Sequence, residues 1–365
     1  MYTPLFLLLT VISIWVVGLF VYRLFLHPLR NFPGPRLAAL TDYYAGYHDI
    51  VKDGRFLKRI EQLHSQFGPV VRVGPNTLHF VEPQAYADIY THGTSFTKPS
   101  LLYNMFFNLK ESSFGFKDPR EARQRKQVLS PFFSRRAILK LKGFIQEKID
   151  KLVSRIKDYP EGEPINLTYG FRSLTMEIIT SYCFATGYNT LEHPTFEHPL
   201  ILAFHDISHL YWYMRYFAPF MRLSMAIPIW IIELINPVAV EPTRMAQDLE
   251  RLISSYLKDE NQLRDVEHET IFHRLILPET KEGKVDRSLR PSKRSLLHEA
   301  IILLGAGSDT VANASCVGTC YALQDPAISG KLKEELRLAW PDEDSTPDLS
   351  VLEQLPYLVS THGYY

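Results

Sequence analysis

The residues of this chain best suited to chemistry sit together in Leu303-Leu304-Gly305-Ala306-Gly307-Ser308-Asp309-Thr310-Val311-Ala312. Asp309 and Thr310 place a carboxylate beside a hydroxyl, the pairing needed to hold and pass on a proton. They directly follow two glycines, each of which costs a helix interior about 1 kcal/mol relative to alanine. A helix keeps such residues where something must come close to its backbone, so Ala306 and Gly307 read as a flat platform beside the Asp309–Thr310 relay. A carboxylate in an apolar helix is costly unless it is paired or exchanges protons. The same residues also fit a second reading, a helix–helix contact through small side chains with Asp309 as a satisfied buried acid.

Other groupings carry less. His205 and His209 stand four apart on one helical face, as in zinc hydrolases, but Asp206 replaces the usual glutamate base and no third ligand is set by motif. Ser308 lies in Gly-Ala-Gly-Ser-Asp, which is not a Gly-x-Ser-x-Gly nucleophile turn. Arg120, Arg123, Arg125 and Lys126 make the Pro119–Leu129 segment strongly basic, which on its own reads as a solvated helix face. The three cysteines, Cys183, Cys316 and Cys320, follow neither metal-ligand nor disulfide-framework spacing, which suits a reducing compartment.

Elements must position these groups. Glu299–Leu323 reads as one helix of roughly 37 Å, ended by Asp325-Pro326. Upstream, Pro69–Pro75 and Thr77–Val81 read as a two-stranded hairpin. Helical periodicity covers Tyr43–Phe67, Phe144–Ile156, Leu174–Phe184, Pro199–Phe217, Arg244–Leu257 and Ile271–Leu277. Lys281–Lys293 reads as an exposed loop. Aromatic clusters at Tyr103–Phe107 and Tyr211–Tyr213 are core or the lining of an apolar pocket. The expected fold is mainly α with a small β component.

The 365 residues balance 40 basic against 40 acidic side chains, which excludes the basic footprint of a nucleic-acid binder. A 46% hydrophobic share excludes a disordered chain. Met1–Tyr22 carries no charge, and the first charges, Arg23, Arg30 and Arg36, all follow it. That pattern predicts a transmembrane anchor at 1–26 with the body in the cytoplasm. A proline-rich hinge at 27–42 and a globular body at 43–365 follow.

Ala306-Gly307-Ser308-Asp309-Thr310 resembles the oxygen-activation motif of cytochromes P450. Pro33-Gly34-Pro35 after an apolar helix, Phe67–Asn76, Ser95-Phe96-Thr97-Lys98, Lys126–Ser134, Lys331–Arg337 and Leu352–Leu358 match the same family in order. The likeness is to microsomal, filamentous-fungal members, nearest in kind to trichodiene oxygenases. It implies a haem b monooxygenase of secondary metabolism acting on a lipophilic substrate such as a terpenoid or polyketide. Further implications are the endoplasmic reticulum membrane and electrons from NADPH through a cytochrome P450 reductase. Residue by residue, it implies the platform for Ala306 and Gly307, the relay for Asp309 and Thr310, and haem propionates for Arg123, Arg125 and Lys126.

The family's iron ligand lies in a Phe-x-x-Gly-x-Arg-x-Cys segment, and these 365 residues contain none. Glu334-Glu335-Leu336-Arg337 imitates the family's Glu-x-x-Arg brace, but its place before Pro356-Tyr357 makes it the preceding helix. The expectation is therefore the N-terminal part of the P450 fold lacking the C-terminal haem-thiolate region, a truncated and inactive monooxygenase. A non-catalytic membrane-bound pseudoenzyme that binds a partner or lipophilic ligand is the alternative.

Overall fold

The computed structural model describes residues 3–91, 96–99, 103, 109–224, 227–263, 269–279, 283–342, 345 and 348–362. These fall into two compact units. The first comprises the stretches 1–110, 117–119 and 207–227, and the second 111–116, 120–206 and 228–365.

In the first unit, helix α1 (Thr3–Val21) continues into a wider turn over Tyr22–Leu26. Phe6–Leu26 is long and apolar enough to cross a membrane, with mean hydropathy 2.2 and none of it buried. The chain then leaves the helix at Pro28, and Pro33 and Gly34 lie against strand β1 (Val70–Gly74). Arg72 N–H donates to Pro33 O at 2.7 Å, and the Arg72 guanidinium donates to Arg23 O and Pro75 O. A Cβ on Gly34 would stand 2.3 Å from Arg72 O, so only glycine fits that approach.

Strand β1 pairs antiparallel with β2 (Thr77–Phe80), Val71 opposite His79, as the sequence pattern predicts. The single helix expected over Tyr43–Phe67 is instead broken. Asp53 and Gly54 both adopt positive φ, and α2 (Phe56–Phe67) starts afresh behind them. Ile60 and Leu63 of α2 pack on Val71 and Val73. Asp49, buried here, accepts a hydrogen bond from Tyr216 at 2.6 Å, and burial raises the pKa of both groups.

The second unit is helical: α3 (Pro119–Leu129), α4 (Lys142–Lys157), α5 (Leu167–Phe184), the start of α6 (Pro199–Tyr216), α7 (Glu241–Lys258), α8 (Ile271–Ile276), α9 (Lys293–Gln324), α10 (Pro326–Ala339) and α11 (Pro356–His362). Its core joins Met176, Ile179 and Phe184 of α5 to Leu249 and Ile253 of α7, Phe272 of α8, and Leu296, Ala300 and Leu304 of α9. Helix α9 begins six residues earlier than the sequence predicts. Ser292 accepts from Ser295 N–H and caps it at Lys293. Its length and composition also suit a membrane span, but it is the partly buried centre of this unit.

The loop before α9 is held by Glu260, which accepts from Arg287 at 3.0 and 2.6 Å and also from Arg290. Those hydrogen bonds, Arg287's first, hold the carboxyl at about 2 rather than 4.5. A carboxyl lowered on folding adds stability above its unfolded value, which is lost as pH falls from 4.5 toward 2. Solvent screening at this near-surface site leaves about 1 kcal/mol. Glu260→Gln is therefore expected to cost that much at neutral pH and nothing near the acid end, read by urea unfolding at both.

Candidate functional site

Helix α5 runs antiparallel along α9 with one face set into it. Thr168 Oγ1 meets Cys316 Sγ at 3.1 Å, Arg172 pairs with Asp309 at 2.7 Å, Thr175 Oγ1 donates to Ser308 O at 2.9 Å, and Ile179 lies against Gly307. Positions 168, 172, 175 and 179 share one stripe of a 3.6-residue helix, so a single register sets all four contacts.

That register divides the motif between two faces. A Cβ on Gly307 would come within 2.7 Å of Ile179 Cγ1, so the bare side of Gly307 is where α5 seats. The small-residue contact that the sequence left as a second reading is thus present at Gly307. Gly307→Ala is expected to cost about 1–3 kcal/mol by overpacking, and to cost much less when introduced in an Ile179→Ala background. Thermal unfolding of the single and double variants checks this.

Ala306 and Thr310 face the other way. Both are exposed, and with Asn313 and Ala314 they form an open stripe of small side chains along α9. Thr310 Oγ1 donates to Ala306 O at 2.8 Å. Asp309 stands between the faces: its Oδ1 is buried against Arg172, yet the side chain as a whole is 43% exposed. Gly307 and Asp309 Oδ1 thus lie at the α5 contact, and Thr310 lies outside it.

The basic helix α3 spans Pro119–Leu129, as the sequence predicts, but its cations divide too. Arg123 and Lys126 are exposed, and no ion pair engages either among the described residues. Arg125 is buried. Its Nη1 meets Glu299 Oε2 at 2.6 Å, its Nη2 donates to Ser295 Oγ at 2.8 Å, and the guanidinium lies 5.5 Å from the centre of the Phe116 ring. Arg125 is therefore a strut to α9, with its charge matched by the Glu299 carboxylate. Glu299 is fully buried and also accepts from Ser113 N–H at 2.8 Å and Ser113 Oγ at 2.5 Å. His298 accepts from Glu111 N–H at 3.2 Å, and burial lowers its pKa.

The sequence reading missed Glu299, although a lone acid within Leu296–Ile301 demands a partner. A cavity of about 1220 Å³ lies beside α3, lined among others by Phe116, Arg125, Val128, Phe132, Tyr182 and Arg274, and by no residue of the 305–310 stretch. Ala306–Thr310 and the α3 cations do not meet in that cavity.

The cysteines sit away from any such cradle. Cys183 is fully buried in the core, and burial pushes its thiol pKa up strongly, which disfavours the thiolate. Cys316 and Cys320 are on α9. Among the described residues no group of three metal-ligating side chains occurs. His205 Nδ1 lies 2.6 Å from Arg172, a cation where a metal ligand would need open space. The side chain of His209 lies outside the described residues, as do Ser95 and Asn104–Phe107. Glu335, next to the Glu334–Arg337 pair whose spacing imitates the brace, has a local partner. It accepts from Tyr357 and Leu358 N–H at 2.9 and 2.8 Å, capping α11.

A family model for cytochrome P450 matches residues 43–361. The chain is 36% identical to cytochrome P450 monooxygenase orf6 of Eupenicillium brefeldianum, over 97% of this chain and 70% of that protein. It is 31% identical to cytochrome P450 monooxygenase TRI4 of Fusarium sporotrichioides, over 92% and 64%. The crystal structure of the cytochrome P450DA heme domain shares the fold, with TM-score 0.65 at 15% identity over 91% of this chain and 68% of that one.

Proposed function

This chain belongs to the cytochrome P450 family, and on that premise we propose that it supplies the distal, oxygen-side wall of a membrane-bound monooxygenase of fungal secondary metabolism. The substrate is lipophilic, a terpenoid or polyketide. Electrons come from NADPH through a cytochrome P450 reductase at the endoplasmic reticulum membrane, with Phe6–Leu26 as anchor and the body in the cytoplasm. The observation that carries this reading is the open stripe of Ala306 and Thr310 on a helix whose opposite face is locked to α5.

Haem b, when bound, supplies the oxygen-activating redox chemistry. The residues present fit its distal side. Ala306 keeps the open surface of α9 low, and Gly307 lets α5 seat closely against the opposite side of α9. Thr310 offers a hydroxyl on the open face, and Asp309 adjoins it with a carboxylate, the two groups we assign to the relay. Arg123 and Lys126, exposed cations on α3, are the donors we assign to the propionates, while Arg125 holds α3 to α9. The residues present do not fit an iron ligand, since none of the three cysteines is placed for it, and no step through the metal follows from them.

Titrating the purified chain with haemin, followed by visible absorption, tests the proposal. Saturable binding weakened by Arg123→Ala with Lys126→Ala is expected, and no binding would refute it. The carbon-monoxide difference band of thiolate-ligated haem is not expected from these residues. Its appearance would assign the ligand to one of the three cysteines.

A further inference from the structure

We propose that Arg172 is a positioning residue for Asp309, and that His205 decides where Arg172 stands. The proposal rests on the relay reading of Asp309 above. The Arg172 side chain is 11% exposed, and two neighbours share its guanidinium. Nη2 is 2.7 Å from Asp309 Oδ1, and Nη1 is 2.6 Å from His205 Nδ1. An arginine nitrogen only donates, so His205 must accept at Nδ1 and carry its proton at Nε2. Tyr169, one turn before Arg172 on α5, sets its ring edge-on to His205 at 5.8 Å and 85° and fixes the plane of the imidazole. Arg172 Nε has no hydrogen-bond partner among the described residues, so the two Nη contacts define its position.

The consequence falls on Asp309. Successive helical residues point about 100° apart, so Asp309 held toward α5 is turned from the face on which Thr310 lies. Thr310 meanwhile donates to Ala306 O. The acid and hydroxyl are adjacent in sequence and parted in space by the hold of Arg172. For Asp309 to serve Thr310 it must exchange Arg172 for the open face. The strength of the Arg172 contact, set by the acceptor at 205, therefore fixes the fraction of Asp309 available to the relay. Helix α6 thereby acts on the oxygen-side motif through one arginine.

Carbodiimide labelling of carboxylates with glycine ethyl ester, read at Asp309 by mass spectrometry on the membrane-embedded chain, reports that fraction without any haem. Arg172→Met is expected to raise Asp309 labelling about tenfold relative to exposed reference carboxylates such as Asp206. Arg172→Lys, which keeps the charge but not the fork, should give an intermediate value. His205→Leu should raise labelling, and His205→Asn, whose Oδ1 occupies the place of Nδ1, should restore protection. A purely structural role would change labelling across the whole of α9 and would not be rescued by asparagine. Unchanged labelling at Asp309 in Arg172→Met and His205→Leu overturns the proposal. The same preparations titrated with haemin separate the two claims: labelling that follows Arg172 in a chain that binds no haemin would leave the positioning intact and defeat the haem reading.

Discussion

Glu299→Ala is expected to lower the stability of the second unit by about 3–5 kcal/mol, enough to unfold a marginal domain. The carboxylate is fully buried and takes Arg125 Nη1, Ser113 N–H and Ser113 Oγ together. Removing it strands a buried guanidinium and leaves a backbone donor without an acceptor, each a recognised source of large losses. Glu299→Gln keeps the shape and one acceptor oxygen but removes the charge, and should cost about 1–3 kcal/mol. The double variant Arg125→Met with Glu299→Leu removes both ions, and should be far less damaging than either single truncation. Urea unfolding of the parent, the double variant and the single variants Glu299→Ala, Glu299→Gln, Glu299→Leu and Arg125→Met checks this. Additive losses in the double variant would show that the two residues do not act as a pair.

The contrast between Glu299 and the motif residues explains what could be read from the chain. Ala306–Thr310 announced itself because its members are consecutive, and the chemistry of five neighbours needs no knowledge of the fold. The hairpin was visible as two β-branched runs around Gly74-Pro75-Asn76, and α3 as a run bounded by Pro119 and Ser130-Pro131. What joins distant segments was not visible. Arg125 looked like its neighbours Arg123 and Lys126, and only the packing of α3 on α9 separates a buried strut from two solvent-facing cations. Gly307 and Ala306 looked alike as platform residues. The α5 register, set by Thr175 and Ile179, assigns them to opposite faces. Arg172 gave no local signal, and the spacing of His205 to His209 pointed to a metal rather than to Arg172, because Arg172 and His205 meet only across more than thirty positions. Capping explains the boundary errors: Asn166 and Ser292 begin α5 and α9 earlier than their apolar periodicity does.

That division of faces makes Ala306 the sharpest test of function. Ala306→Phe adds a large ring on the open stripe, where no neighbour is displaced, and loses only the small difference in helix propensity. Its unfolding free energy should stay within about 0.5 kcal/mol of the parent, as for other exposed substitutions. Haemin affinity should fall at least about tenfold, because the ring stands where the porphyrin face and its small-molecule ligands must approach. Gly307→Ala should do the reverse, lowering stability through Ile179 while leaving the open face unchanged in shape. Stability and haemin titration measured on both variants thus give a crossed pattern. No general damage to α9 produces that pattern, since such damage would move both quantities together in both proteins. If Ala306→Phe bound haemin as tightly as the parent, the open stripe would not be the distal wall. Ala306, Asp309 and Thr310 would then lose their assigned roles, while the fold and the α5–α9 register would stand.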